Sequence, residues 1–400
     1  MNNQLDCFEI VWQTVNGMYF DPTFGGLDWQ AMHDIYRPRI TAAEDDETFY
    51  NLLNQMLHEL KVSHIGALPA EWAMDRWMFP HDFGQGGTGL DIRLLKGRSV
   101  VTSVASGSSA EQAGLRPGFI IQSIDSVSVD QIAEHTPPAP PYNERSRRRL
   151  ITVEILRHIY GAPGTQVSIA YTAEEAETHV KSIQRVQRQG GYPLFDGAPP
   201  AYFDVESKEL EGGIGYIRLS ALQWALNEKI RLAIDSISSA PGLILDLRGN
   251  SGGDFDIFIG KFFQAPVPCL SVKTRNGTED FIIKPEPNPY TGKVVVLVDE
   301  MSVSAAELFA AALQTTARAV VVGERSPGWV LGTQTTFLPN GALFVYPDRQ
   351  YRTPDGRILE GYGVVPDIEI ALEQWQLLRG VDAQLEEAIK LIKKEIQKPQ

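Results

Sequence analysis

Three different hydrophobic rhythms divide this chain. In the first stretch apolar residues return every three or four positions. Phe8, Val11, Trp12 and Val15 share one helical face, and so do Phe49, Leu52, Leu53, Met56, Leu57 and Leu60. The acids Glu44-Asp45-Asp46-Glu47 precede the second group, where a helix start favours negative charge. These spacings predict a helical module over residues 1–80, with Lys61-Val62-Ser63-His64-Ile65-Gly66 closing its last helix. Between 84 and 180 short apolar runs alternate with glycine turns, which predicts a small β domain with one short helix at Ser109–Ala113. Pro137–Pro141 reads as a loop inserted between its strands, and Arg145–Arg149 as a solvated linker. From 186 to 400 strand patterns alternate with helical ones. Gly213–Ser220, Gly242–Gly249, Val294–Val298 and Ala319–Gly323 read as strands, and Trp224–Ile237 and Asp382–Glu395 as helices. Asn340-Gly341 is a hairpin signal. This is the layout of an α/β core with crossover connections.

Charge changes the picture by exclusion. Fifty acidic residues against thirty-six basic give a net charge of −14, and a nucleic-acid partner would need a basic footprint. The two cysteines, Cys7 and Cys269, imply no disulfide framework, and the seven histidines form no metal-binding spacing. The sequence therefore calls for no metal and no cofactor. No apolar run reaches the length of a membrane span, and Met1-Asn2-Asn3-Gln4 begins no signal peptide. Two compartments stay open: inside the cell, or outside it after removal of a leader.

Chemistry concentrates in residues 294–313. A buried-strand pattern stops at Asp299-Glu300, a short polar turn follows, and an Ala- and Leu-rich helix begins. Ser304 falls where the strand hands over to the helix N-terminus. Unpaired N–H groups and the macrodipole there stabilise developing negative charge. Two readings fit this position, a serine nucleophile and a plain N-cap.

The stretch 84–180 resembles a PDZ domain of the bacterial type. Gly87-Thr88-Gly89-Leu90 matches its carboxylate-binding loop, Ser109–Gly118 its helix-and-turn motif, and Gly164-Thr165-Gln166-Val167 its last strand. Phe119 stands where that family usually has aspartate, and the Pro-rich insertion is long. The resemblance implies that residues 87–90 hold a peptide terminus while a sheet edge accepts the peptide as an added strand.

Residues 186–400 resemble the carboxyl-terminal-processing (tail-specific) proteases. The resemblance rests on Gly213-Ile214-Gly215-Tyr216-Ile217-Arg218-Leu219, on Asp246-Leu247-Arg248-Gly249-Asn250-Ser251-Gly252-Gly253 and on Ser302-Val303-Ser304-Ala305-Ala306-Glu307. It implies a ClpP/crotonase-like α/β core, Ser304 as nucleophile and a polypeptide substrate, cut either by an endopeptidase or by a processing peptidase that reads its C-terminus. The tail-specific branch uses lysine as base, but that position holds Trp329, in Ser326-Pro327-Gly328-Trp329-Val330. Tryptophan cannot accept a proton. The branch related to the tricorn protease core is similar in fold and uses a Ser-His-Ser-Glu tetrad. Its pattern maps onto Ser63-His64 and onto Glu360 in Glu360-Gly361-Tyr362-Gly363. His64 is then the general base, with Ser63 and Glu360 orienting it. Adjacent side chains on a strand point to opposite faces, so Ser63 and His64 serve one site only if the backbone turns there. Ala305 N–H would be one oxyanion donor, and Gly252 or Gly253 the other. With the lysine lost, a non-catalytic ligand- or peptide-binding protein on the same scaffold is the alternative.

Overall fold

A computed structural model describes residues 3–69, 84–173, 177–193 and 200–396. The end of the 1–80 module and its junction with the β domain, residues 70–83, lie outside the described residues. Three helices open the chain: α1 (Asn3–Met18), α2 (Trp29–Thr41) and α3 (Asp46–His58). Asp28 and Asp45 cap the second and third through side chains that accept from Ala31 and Thr48 N–H groups. Their apolar stripes meet as the spacing predicts, with Phe8, Val11, Phe49, Leu53 and Met56 fully buried. Beyond α3 the chain bends at Ser63 and His64 and enters a short strand, β1 (Gly66–Leu68).

The middle stretch builds an antiparallel sheet from β2 (Leu90–Leu95), β3 (Arg98–Val104), β4 (Ile120–Ile124), β5 (Gln166–Thr172) and β6 (Thr178–Gln184), in that spatial order. A one-turn helix at Ser109–Gln112 occupies the expected place. Two longer helices, α4 (Val129–His135) and α5 (Glu144–Ile159), stand between β4 and β5. Pro137–Pro141 thus joins two helices rather than two strands. The basic run is the first turns of α5 and not a solvated linker, with Ser146 0% and Arg149 3% exposed. Its charges have partners on other elements: Arg148 pairs with the buried Glu300 at 2.6 Å, and Arg149 lies over the Trp329 ring at 4.6 Å.

The last half is a three-layer α/β unit. Its six-stranded sheet runs β7 (Val205–Leu210), β8 (Ile214–Leu219), β9 (Gly242–Asp246), β12 (Lys293–Val298), β13 (Ala319–Gly323) and β16 (Ile368–Glu369). Every pair after β7–β8 is parallel. Parallel strands bury both faces, which is why Val294–Val298 reads as unbroken apolar sequence. Leu243, Leu245, Val294 and Val296 face α6 (Asn227–Ser236) and α7 (Ala305–Thr315). Ile244, Val295 and Leu297 face α8 (Ala383–Ile396). A second, antiparallel sheet runs β1, β15 (Leu343–Arg352), β10 (Val267–Thr274) and β11 (Gly277–Ile283), with β14 (Leu331–Phe337) also on β15. Through β1 the helical module is sewn into the core, and His64 arrives beside the segment that leads into β14. Among the described residues no helix is long and apolar enough to cross a membrane.

Candidate active site

Ser304 ends the turn between β12 and α7, and its backbone is held at φ 57°, ψ −120°. Only glycine adopts such a conformation freely, so a serine there stores roughly 1–3 kcal/mol of strain that its surroundings must hold in place. Those surroundings are visible. Asp299 Oδ1 accepts from Met301 N–H, the Ser302 hydroxyl and Gly249 N–H, all near 3 Å. One carboxylate oxygen thereby ties the serine turn to the glycine turn that faces it. Its other oxygen takes Arg93 Nε at 2.6 Å, from β2. Asn250 O accepts from Val303 N–H at 3.0 Å. The two turns pack so closely that a Cβ placed on Gly252 would lie 2.7 Å from Ser304 Cβ.

Which amides face the serine decides which can serve an oxyanion. Of the two glycines expected to offer a donor, Gly252 already donates its N–H to Asn250 Oδ1 at 2.9 Å. Asn250 folds back on its own turn, an Asx geometry that spacing alone does not reveal. Gly253 N–H and Ala305 N–H donate to no protein group among the described residues.

On the other side of the site, His64 sits at φ 58°, the bend that adjacent Ser63 and His64 side chains require to reach one place. Ser63 Oγ lies 2.7 Å from His64 Nδ1 and donates to Glu360 Oε2 at 3.0 Å. The Glu360 carboxylate also accepts from Ser63 N–H at 2.6 Å and Val330 N–H at 3.0 Å. With Ser63 donating to Glu360, the bonding pattern requires Nδ1–H to donate to Ser63 and leaves the Nε2 lone pair free. Burial, and then the Arg149 charge, hold the imidazole down to about 4. Burial pushes Glu360 up to about 7, against the pull of its three donors.

Trp329 stands between the two halves. Its carbonyl accepts Ser304 N–H at 2.7 Å, and its ring meets the His64 ring edge-on, centroids 6.4 Å apart. Its indole N–H donates to Ser146 Oγ at 2.8 Å. No hydrogen bond joins Ser304 Oγ to the imidazole directly. Such pairs commonly stand apart until substrate closes them.

One residue escaped a role in the sequence reading although it ends the quoted serine motif. Glu307 is 0% exposed and accepts four hydrogen bonds: Ser326 Oγ at 2.6 Å, Gly328 N–H at 2.7 Å, Trp329 N–H at 2.8 Å and Ser304 N–H at 3.1 Å. Burial pushes its carboxyl up to about 7. The available signal was an acid inside the otherwise apolar run Ala305–Leu313, since charge is buried only against partners. Gly87, Thr88, Gly89 and Leu90 lie away from this centre and enter β2. The first three line a separate cavity of 370 Å³ with Gln184 and Arg188. Gly86–Gly87 already pairs with Val186–Gln187, so the backbone just before that loop has its partner strand.

Known proteins resemble this chain in sequence and in fold. The sequence profile of peptidase family S41 matches residues 213–370, and that of the tricorn protease C1 domain matches residues 5–58. A tricorn protease homolog of Streptomyces coelicolor is 27% identical, over 94% of this chain and 31% of its own length. The carboxyl-terminal-processing protease of Synechocystis sp. is 26% identical, over 89% of this chain and 78% of its own. The chain therefore spans about a third of the first relative and most of the second. The photosystem II D1 C-terminal processing protease structure superposes with a TM-score of 0.59 at 23% identity, covering 96% of this chain and 99% of that one, a likeness of fold. Mixed α/β content behind N-terminal helices is the common plan. Residues 213–370 thus match peptidase family S41 and residues 5–58 the tricorn protease C1 domain, so the chain is similar to the serine-type peptidases of that family.

Proposed function

We propose that this chain cleaves polypeptides by acyl transfer, with Ser304 as nucleophile and His64 as general base. The observation that carries the reading is the strained Ser304 elbow, which shares Trp329 as a neighbour with the Ser63–His64–Glu360 hydrogen-bond chain. Ser304 Oγ attacks the peptide carbonyl as its proton passes to His64 Nε2. Ser63 and Glu360 fix the tautomer and offset the imidazolium charge. Ala305 N–H and Gly253 N–H stabilise the oxyanion, a contribution of about 3–4 kcal/mol per donor in comparable sites. His64 then returns the proton to the leaving amine, and water hydrolyses the acyl-enzyme. A depressed imidazole pKa suits the base, because the neutral form is present throughout the neutral range.

The division into a helical module (1–80), a PDZ-like domain (84–180) and a ClpP/crotonase-like core (186–400) belongs to the same proposal. So does recognition of a substrate C-terminus by Gly87, Thr88, Gly89 and Leu90. A serine-reactive fluorophosphonate read by mass spectrometry tests the mechanism. We expect an adduct on Ser304 that is lost in His64→Ala. Labelling that persists without His64 refutes the assigned base, and no adduct alongside intact peptides refutes the activity.

A further inference from the structure

A cavity of 110 Å³ opens beside the proposed catalytic pair, bordered by His64, Val303, Trp329 and Val345 from the helical module and core. Two more of its wall residues, Ala139 and Pro140, come from the Pro-rich segment between α4 and α5. That segment is seated firmly. Asn143 Nδ2 donates to Pro327 O at 2.9 Å and to Gly361 O at 3.2 Å, and Arg145 Nε to Ser326 O at 3.1 Å. Its bonds therefore fall on the two stretches that carry Trp329 and Glu360. Pro140 is buried and Ala139 half-buried, as wall residues should be.

We propose that this insertion forms one wall of a specificity pocket for an aliphatic substrate side chain flanking the scissile bond. The inference rests on the peptidase reading above. The chemistry of the lining sets the class of side chain. Valine, isoleucine, proline, alanine and an aromatic face supply apolar surface, and Ser63, Thr333 and Thr335 add small hydroxyls. Burial lowers the pKa of the bordering His58 and His64 and so favours their neutral forms, and neither an acid nor a lysine or arginine borders the cavity. A charged side chain entering would lose water and gain no counter-charge. Size narrows the class further. An apolar cavity of roughly 150 Å³ holds a benzene ring, so 110 Å³ suits leucine, isoleucine or valine better than phenylalanine.

The test is a peptide series varied on each side of the scissile bond, cleaved by the full chain and by Ala139→Phe and Thr333→Asp. On one side leucine should exceed aspartate and lysine by roughly 10- to 100-fold in kcat/KM. Ala139→Phe, which fills the wall side of the pocket, should reverse the leucine-to-alanine ratio. Thr333→Asp should raise lysine relative to leucine. Each ratio is internal to one preparation, so partial misfolding lowers both terms alike. Equal cleavage of leucine, lysine and aspartate peptides, or an unchanged ratio in both variants, overturns the pocket while the peptidase reading stands. No cleavage and no fluorophosphonate adduct in the parent chain overturns both.

Discussion

Replacing Glu307 by glutamine keeps the shape of the side chain and removes its ability to ionise. The structure sets how the effect should vary with pH. The carboxyl is fully buried, and burial raises it from its ordinary 4.5 to about 7. A carboxyl with a raised folded-state pKa binds its proton more tightly when folded. Its contribution is fully present below about 4.5 and is lost as pH rises through about 7. Between about pH 5 and pH 8 that loss comes to about 2.5 kcal/mol, at 1.36 kcal/mol per decade of proton affinity. Glutamine resembles the protonated acid, with one acceptor oxygen and one donor arm. The stability of the parent chain minus that of Glu307→Gln should therefore fall by about 2.5 kcal/mol across this range. Urea unfolding followed by tryptophan fluorescence at both pH values measures it, and Glu360, common to both proteins, cancels. A gap that stays constant, or widens with pH, refutes the reasoning. Widening would mean that the four donors outweigh burial and hold the carboxyl ionised.

Acid should erode kcat/KM in two steps. The first, near pH 7, comes as Glu360 takes a proton and stops offsetting the imidazolium; the second, near pH 4, comes as His64 itself charges. Glu360→Gln should lose the upper step only, and one midpoint near an ordinary 6.5 in both proteins contradicts this assignment. Gly252→Ala places a methyl 2.7 Å from Ser304 Cβ at a φ of +92°, where the neighbouring turn must give way. Fluorophosphonate labelling of Ser304 should slow roughly 100-fold in that variant, the effect of displacing a reacting group by about 1 Å; an unchanged rate denies the close approach.

The elements that carry the site were legible because their signals are local. Val294–Val298, the polar turn and the Ala-rich helix place Ser304 at a strand-to-helix junction by pattern alone, and the strand, turn and helix stand there. The helical stripes of residues 8–15 and 49–60 likewise pack as their spacing requires. Signals whose partners are distant in sequence could not be read. Arg145–Arg149 looks like solvated charge until Glu300 and Trp329 are known to face it. Gly252 and Gly253 look equivalent until Asn250 takes the amide of one. The lowered pKa of His64 could not be read either, because burial, a property of the assembled chain, is its main cause.

The two amides of Trp329 and Val330 point to opposite owners. One donates to Glu307 on the serine's helix, the other to Glu360 in the imidazole's chain, and the Trp329 carbonyl holds Ser304 N–H. Consecutive Cα atoms are about 3.8 Å apart by covalent geometry. The distance between the halves of the site is thus spanned by a link of nearly invariant length, as a connecting rod spaces two bearings. Relative motion of α7 and the His64 bend has few degrees of freedom left, mainly rotation about that link. Such rotation would change the angle at which the imidazole faces the serine more than the spacing of the two halves. A centre built this way can be adjusted in angle by forces applied at Trp329, whose indole is held from α5.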